Sequence, residues 1–241
     1  MKTPMKFTAG IVLLSSLALL PGCSGQKSDG TAPASSSASM QRPYEIKSGI
    51  VHFKPVNMMG VKITETLYFD DYGVREAKES VTESDIMGMK NYEHKMEIRD
   101  GKYIISYAVK SILNGKDETS KEATRTDMGD MREMAAEMGK LINVNEMKKN
   151  MDYREEGPET VAGVTGKKYS VALDKSKPDA RIYGVMYKNI VLKSEMAGLS
   201  MEASSIEENA AVPADKFAVP AGYTVKDIDL AAEMQRAGGE R

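Results

Sequence analysis

An alternation of apolar and polar residues between Asn91 and Val109 constrains the fold most, because β-strands repeat every two residues. The alternation is interrupted at Asp100-Gly101, a dipeptide typical of tight hairpin turns. The pattern therefore predicts a β-hairpin over residues 91–110. Shorter stretches of the same kind recur at 61–69, 74–81, 167–173, 181–187, 190–196 and 199–206. Many short strands with tight connections predict an antiparallel sheet with one covered face, since parallel pairs need long crossovers.

Between Ala123 and Met151 the period changes to that of an amphipathic helix. At about 100° per residue, the apolar side chains fall within about 140° of arc. This stripe consists of Met128, Met131, Met134, Ala135, Met138, Leu141 and Ile142. A stripe of this kind must be buried, and the covered face of the sheet is the partner at hand. The predicted fold class is therefore α+β, a curved antiparallel β-sheet (a half-barrel) covered by a Met-rich amphipathic helix.

The first 22 residues have the three parts of a secretory signal. Lys2 and Lys6 precede an apolar run at 7–20, and Pro21-Gly22 follow it. The apolar run is shorter than the ~20 residues that a helix needs to cross a bilayer, so no permanent membrane span is predicted.

Cys23 is the only cysteine of the chain, and it directly follows Leu20-Pro21-Gly22. This order resembles the bacterial lipobox, in which the cysteine carries a diacylglycerol and, after cleavage, a further acyl chain such as palmitate. The resemblance implies a lipid-anchored protein of the cell envelope, and Ser24 after the cysteine implies the outer membrane, facing the periplasm. An ordinary cleaved signal with an incidental cysteine is the alternative. An anchor at Cys23 leaves no thiol for disulfides, metal or nucleophilic catalysis.

Small and polar residues dominate the stretch after the cysteine and predict a flexible tether. The predicted domains are a signal peptide at 1–22, the lipidated cysteine and tether at 23–41, a half-barrel domain at 42–226 and a tail at 227–241. The chain has 33 basic and 35 acidic residues. Removal of the signal with its two lysines makes the net charge −4 rather than −2. A mildly acidic domain predicts no nucleic-acid partner.

Sequence motifs for catalysis are absent: there is no G-x-S-x-G elbow, H-E-x-x-H, C-x-x-C or P-loop. The two histidines, His52 and His94, lie on the apolar sides of predicted strands and are interpreted as hydrogen-bonded core residues. Asp70 and Asp71 are interpreted as turn formers rather than a cation site, because Asp bonds its own neighbouring amides. The sequence predicts no enzyme activity, no metal site and no cofactor beyond the covalent lipid on Cys23.

Several stretches carry a family resemblance: Y-E-I-K-S-G-I-V (44–51), T-L-Y-F-D-D-Y-G (66–73), E-T-V-A-G-V-T-G-K-K-Y (159–169), Y-K-N-I-V-L-K-S-E (187–195) and the run at 204–223 that ends F-A-V-P-A-G-Y. They resemble the half-barrel lipoprotein-carrier superfamily of outer-membrane lipoprotein sorting, and most closely an uncharacterised branch of it. In the carriers, the concave apolar face of the sheet, partly lidded by helices, holds acyl chains. The resemblance therefore implies a module that binds a hydrophobic ligand.

The high methionine content, 18 residues in 241, has three interpretations. Methionine is an adaptable filler of cores, and it is also common on soft binding surfaces. If the methionines form a soft binding surface, the ligand face for a lipid or other apolar molecule consists of Met128, Met131, Met134, Met138, Leu141 and Ile142. In the third, these thioethers and a histidine bind Cu(I), a soft ion. The hypotheses are thus a ligand-binding lipoprotein, a structural or interaction lipoprotein with a filled core, and a Cu(I)-binding protein.

Overall fold

Fourteen β-strands make up most of the computed structural model, which describes residues 42–129, 151–172 and 180–229. They are β1 (Gly49–Phe53), β2 (Val56–Met58), β3 (Val61–Asp70), β4 (Arg75–Ile86), β5 (Met89–Asp100), β6 (Tyr103–Leu113), β7 (Lys116–Asp117), β8 (Glu122–Asp127), β9 (Arg154–Val161), β10 (Val164–Ala172), β11 (Arg181–Tyr187), β12 (Ile190–Met196), β13 (Leu199–Glu208) and β14 (Thr224–Ile228). Two short 3₁₀ turns lie at Asp71–Gly73 and Ala214–Phe217. The hairpin predicted over 91–110 is confirmed as β5 and β6, which pair across Asp100 and Tyr103.

The strands form one sheet in the order β14-β8-β6-β5-β4-β3-β1-β13-β12-β11-β10-β9, with β2 on β3 and β7 on β6. Every described pair is antiparallel except β8 with β14. Most antiparallel pairs join successive strands linked by short turns, whereas β1 and β13 pair across most of the domain. The parallel pair is possible because β8 and β14 are separated by almost 100 residues of chain, ample for a crossover.

Among the described residues, five hairpins close with a two-residue turn that ends in glycine: Met59-Gly60, Met87-Gly88, Asn114-Gly115, Ala162-Gly163 and Ala197-Gly198. Both residues of each turn have positive φ, as type I′ turns require. Asn114 is a favoured residue in the first position, whereas methionine and alanine adopt this left-handed conformation at a cost.

Two apolar clusters occupy opposite faces of β3, because successive side chains of a strand alternate between faces. Phe69 belongs to the first cluster, together with Val51, Ile190 and Leu192. Tyr68 belongs to the second cluster. Its other buried members are Ala77, Met96, Ile98, Tyr107, Ala123 and Phe217.

The predicted α+β fold with a covering helix is wrong. Residues 42–129, 151–172 and 180–229 are nearly all β and contain no α-helix of seven or more residues. The predicted helical stretch begins at Ala123, but this residue lies in β8, fully buried and opposite Tyr107. Thr124 and Thr126 are β-branched and favour a strand, which the helix prediction did not take into account. Residues 130–150, the rest of the predicted helix, lie outside the described residues.

The second cluster is instead covered by residues 212–223, here called the C-terminal segment. Val212, Phe217, Val219 and Tyr223 of this segment pack against the cluster. Among the described residues, no helix has the length and apolar character needed to cross a membrane.

Candidate functional site

A polar cluster centred on Glu79 of β4 lies on the face of the sheet that carries the second apolar cluster. The Nε2 atom of His94 lies 2.7 Å from Glu79 Oε1. The Tyr68 hydroxyl donates to Glu79 Oε2 at 2.8 Å, and Lys216 Nζ donates to the same oxygen at 2.7 Å. An ionised carboxylate can only accept hydrogen bonds, so the His94 Nε2 carries the proton in this arrangement. The Glu79 side chain is 21% exposed.

The strand register explains why three of these groups meet. Glu79 pairs with Thr66 on one side and with Met96 on the other. Tyr68 and His94 are each two residues from those partners, which places them diagonally opposite Glu79 on the same face. Long side chains reach each other across such diagonals.

The fourth group, Lys216, is supplied by the C-terminal segment. Phe217 of this segment is buried, and the Arg75 guanidinium lies over its ring, 4.6 Å from the centroid. Tyr223 donates its hydroxyl hydrogen to the carbonyl oxygen of Ala108 at 2.7 Å. These contacts fix the segment on the sheet at two points, and Lys216, which directly precedes Phe217, faces Glu79.

The pKa values within the cluster show how strongly its members interact. Burial by itself raises the pKa of Glu79, but hydrogen bonds from Lys216, Tyr68 and His94 outweigh burial, and the pKa is lowered. Burial and the hydrogen bond to Glu79 raise the pKa of Tyr68. For Lys216, burial favours the neutral form, but its bonds to Glu79 and Tyr68 dominate and the pKa is raised. Glu79 and Lys216 therefore form an ion pair at neutral pH.

An open pocket of about 440 Å³ lies between the sheet and the C-terminal segment, beside this cluster. One part of its lining is apolar, formed by Met96, Tyr107, Val109, Val219 and Pro220. The other part is polar, formed by Glu79, His94, Asp215 and Lys216. A concave apolar wall with a few convergent polar groups is the usual composition of a site for small molecules.

Of the residues predicted as a ligand face, the structure describes only Met128, so the predicted face stays a prediction. Met128 directly follows β8, and its backbone N–H donates to the carbonyl oxygen of Lys102 at 2.8 Å, a contact outside the pocket lining. The remaining predicted residues lie outside the described residues: Cys23, Met131, Met134, Met138, Leu141 and Ile142.

The histidine and aspartate interpretations can be compared with observed contacts. His94 is hydrogen-bonded as expected, but it is 21% exposed and lines the pocket rather than the closed core. His52 is more exposed, at 43%, and its Nδ1 lies 3.2 Å from the Thr66 hydroxyl. Asp70 is confirmed as a turn former, because its side chain accepts the backbone N–H of Asp71 at the 3₁₀ turn.

The sequence analysis missed Glu79, Tyr68 and Lys216. The sequence contains one indication that Glu79 is unusual. It lies between Ala77 and Val81 in the alternation of the predicted strand, at a position where an apolar residue is expected. No local signal connects Lys216 to this strand, since it lies 137 residues further along the chain.

No family model matches the chain, and no curated protein matches it. The resemblance to the lipoprotein-carrier superfamily therefore stays a prediction.

Several solved structures show a low similarity to the fold. An uncharacterised conserved protein from Thermus thermophilus aligns with a TM-score of 0.47 at 8% identity, over 76% of this chain and 92% of that one. The MucB chain of a Pseudomonas aeruginosa MucA/MucB complex aligns with a TM-score of 0.38 at 13% identity, over 78% and 60%. A β-barrel-like protein from Brucella abortus aligns with a TM-score of 0.36 at 11% identity, over 69% and 100%. These scores assign neither a family nor a function to this chain.

Proposed function

We propose that this chain is a lipid-anchored protein of the bacterial envelope that binds an amphipathic molecule between its sheet and its C-terminal segment. The observation that carries the proposal is the pocket of about 440 Å³ beside Glu79, with an apolar wall on one side and polar groups on the other. Its volume falls in the ~300–1,000 Å³ range of small-molecule sites. The lipobox-like residues Leu20-Pro21-Gly22-Cys23 support the anchor, and Ser24 supports an outer-membrane location facing the periplasm.

The polar groups favour one kind of ligand head group. The pocket lining has two carboxylates, on Glu79 and Asp215, but only one lysine, Lys216. An anionic head would meet this excess of negative charge in a partly desolvated place, where charges interact strongly. We therefore propose an uncharged polar head with an apolar tail that contacts Met96 and Val219.

A binding role fits the site better than a catalytic one. Glu79, Tyr68 and Lys216 satisfy one another through hydrogen bonds, and their pKa values are shifted away from neutrality rather than towards it. A general acid or base needs a pKa near the working pH. The proposal accordingly includes no reaction and no cofactor beyond the covalent lipid.

Calorimetric titration of the purified chain with monomyristoylglycerol tests the proposal, with myristate as the anionic counterpart. We expect saturable binding of the uncharged ligand and at least about tenfold weaker binding of the anion. Val219→Trp fills the pocket and should weaken binding about tenfold or more, whereas Val225→Trp, on an exposed valine of β14, should not. The competing hypothesis of an interaction lipoprotein with a filled core predicts no saturable binding. That result would reject the proposed function.

A further inference from the structure

Two methionines far from the Glu79 pocket present almost their whole side chains to solvent. Met59 is 91% exposed and Met87 is 97% exposed. By contrast, Met96, which lines the pocket, is only 4% exposed. A single exposed apolar side chain is common on protein surfaces, but exposed apolar side chains that lie together in a patch often mark a functional surface.

The two methionines lie at the tips of neighbouring hairpins, in the turns β2–β3 and β4–β5. The backbone N–H of Asp85, just before the second tip, donates to the carbonyl oxygen of Gly60 in the first at 2.9 Å. Ile86 and Met89 flank the second tip and are also exposed. Leu113, likewise exposed, flanks the neighbouring turn between β6 and β7 and pairs with Asn91 of β5. Five apolar side chains are thus exposed at one end of the sheet.

Backbone conformation gives no reason for methionine at either tip. Met59 and Met87 have φ values of 48° and 53°, in the left-handed region that a side chain beyond Cβ adopts at a cost. The neighbouring tip has Asn114-Gly115, the favoured pair for such a turn. At Met59 and Met87 the local cost is not offset by packing, and departures of this kind are concentrated at functional positions.

We propose that Met59 and Met87 form a reversible oxidation site, at which a peroxide converts both thioethers to sulfoxides. The sulfur lone pair attacks one oxygen of hydrogen peroxide and the O–O bond breaks. The new S–O bond leaves a sulfoxide, and the departing hydroxide takes the remaining proton to form water. The sulfur loses two electrons and the peroxide gains them.

The consequence is a change in the character of one surface. A sulfoxide is polar and chiral where the thioether is apolar, so oxidation turns the exposed tips from apolar to polar. The fold is unaffected, because neither side chain contributes to either apolar cluster. Reversal needs an external dithiol, which becomes a disulfide as it removes the oxygen as water. The chain cannot supply that disulfide itself, because Cys23 is its only cysteine.

Timed oxidation of the purified chain with hydrogen peroxide, followed by tryptic digestion and mass spectrometry, tests the site. Met58 and Met89 are internal controls, since each shares a tryptic peptide with one tip methionine and is less exposed. We expect Met59 to be oxidised faster than Met58, and Met87 faster than Met89. Both should react at least about tenfold faster than buried Met96, because oxidation follows exposure.

Retention on a hydrophobic-interaction column measures the change in surface character. The oxidised chain should elute earlier, and treatment with dithiothreitol and both methionine sulfoxide reductases, one for each sulfoxide epimer, should restore the original retention. The Met59→Leu/Met87→Leu variant keeps the apolar surface but cannot be oxidised at the tips, so peroxide should shift its retention much less, with the remaining shift coming from slower methionines such as Met89. Equal oxidation rates at Met58 and Met59, or an equal retention shift in the double variant, would overturn the proposal.

Discussion

Lys216 and Glu79, 137 residues apart in the chain, form an ion pair of 2.7 Å between the C-terminal segment and the middle of the sheet. The Lys216 ammonium also lies 4.6 Å from the centroid of the Tyr68 ring. One lysine thus holds the segment against the face on which the proposed ligand site is built.

Lys216→Met should lower the free energy of unfolding by about 1–3 kcal/mol, because it leaves a partly buried carboxylate without its charged partner. Lys226→Met is the matched control, since Lys226 pairs with Glu122 at an exposed position. The control should change stability by less than ~0.5 kcal/mol. Urea denaturation measures both variants, and similar losses in the two would contradict the role assigned to Lys216.

Acid should remove the contribution of the Glu79 carboxylate to the free energy of unfolding. Its pKa is lowered in the folded chain, so the stabilisation is present above the unfolded value of ~4.3 and is lost as the pH falls through the folded value. At pH 7 the native chain should be about 1–2 kcal/mol more stable than Glu79→Gln, and below about pH 4 the difference should shrink towards zero. Urea denaturation at several pH values tests this, and a difference that is constant with pH would be inconsistent with it.

Gly184→Ala should be destabilising because of Tyr169, its partner across β10 and β11. A Cβ atom on Gly184 would lie 2.4 Å from Cζ of the Tyr169 ring, closer than atoms can approach. We expect a loss of about 1–3 kcal/mol from overpacking. In the background of Tyr169→Leu, which removes the ring, the same Gly184→Ala change should cost much less. A double-mutant cycle measures this coupling, and additive effects would show that the ring is not the cause.

Two arginines that contact Asp152 should contribute differently to the stability of the fold. Arg181 is 4% exposed in its side chain and donates to Asp152 Oδ2 and to the Asp152 carbonyl oxygen, both at 2.6 Å. Arg154 donates to the same carboxylate, but its side chain is 56% exposed. Arg181→Met should cost about 2 kcal/mol or more, because buried hydrogen bonds of a charged group are lost. Arg154→Met should have a much smaller effect, and thermal unfolding that ranks the variants the other way would refute this assignment.

The strands were predictable because their cause is local. In 91–110 the alternation and the Asp100-Gly101 turn lie within one stretch, and β5 and β6 form there as expected. The helix prediction was wrong for residues 123–127 because the helical period of the later methionines was extended back over a strand. Whether those five residues form a strand or begin a helix depends on their pairing with Tyr103–Tyr107 of β6, which a local window does not contain.

The candidate site was less predictable than the fold. Its polar centre depends on cross-strand diagonals from Tyr68 and His94 to Glu79, which require the register of three strands. Its cover depends on the C-terminal segment, whose Lys216 contacts Glu79 of β4 across 137 residues of chain, a separation that no local pattern spans. Met59 and Met87 each precede a glycine in a turn, but methionine is not a typical turn residue, so the local sequence does not indicate a turn at either position.

The most direct test of the central claim is a titration with monomyristoylglycerol, monitored through the methyl groups of ¹³C-labelled methionine. Met96 lines the pocket, whereas Met87 stands at an exposed hairpin tip. If the amphipathic ligand binds between the sheet and the C-terminal segment, the Met96 signal should shift saturably and the Met87 signal should not. An unchanged Met96 signal, or a saturable shift at Met87 alone, would contradict the proposed site.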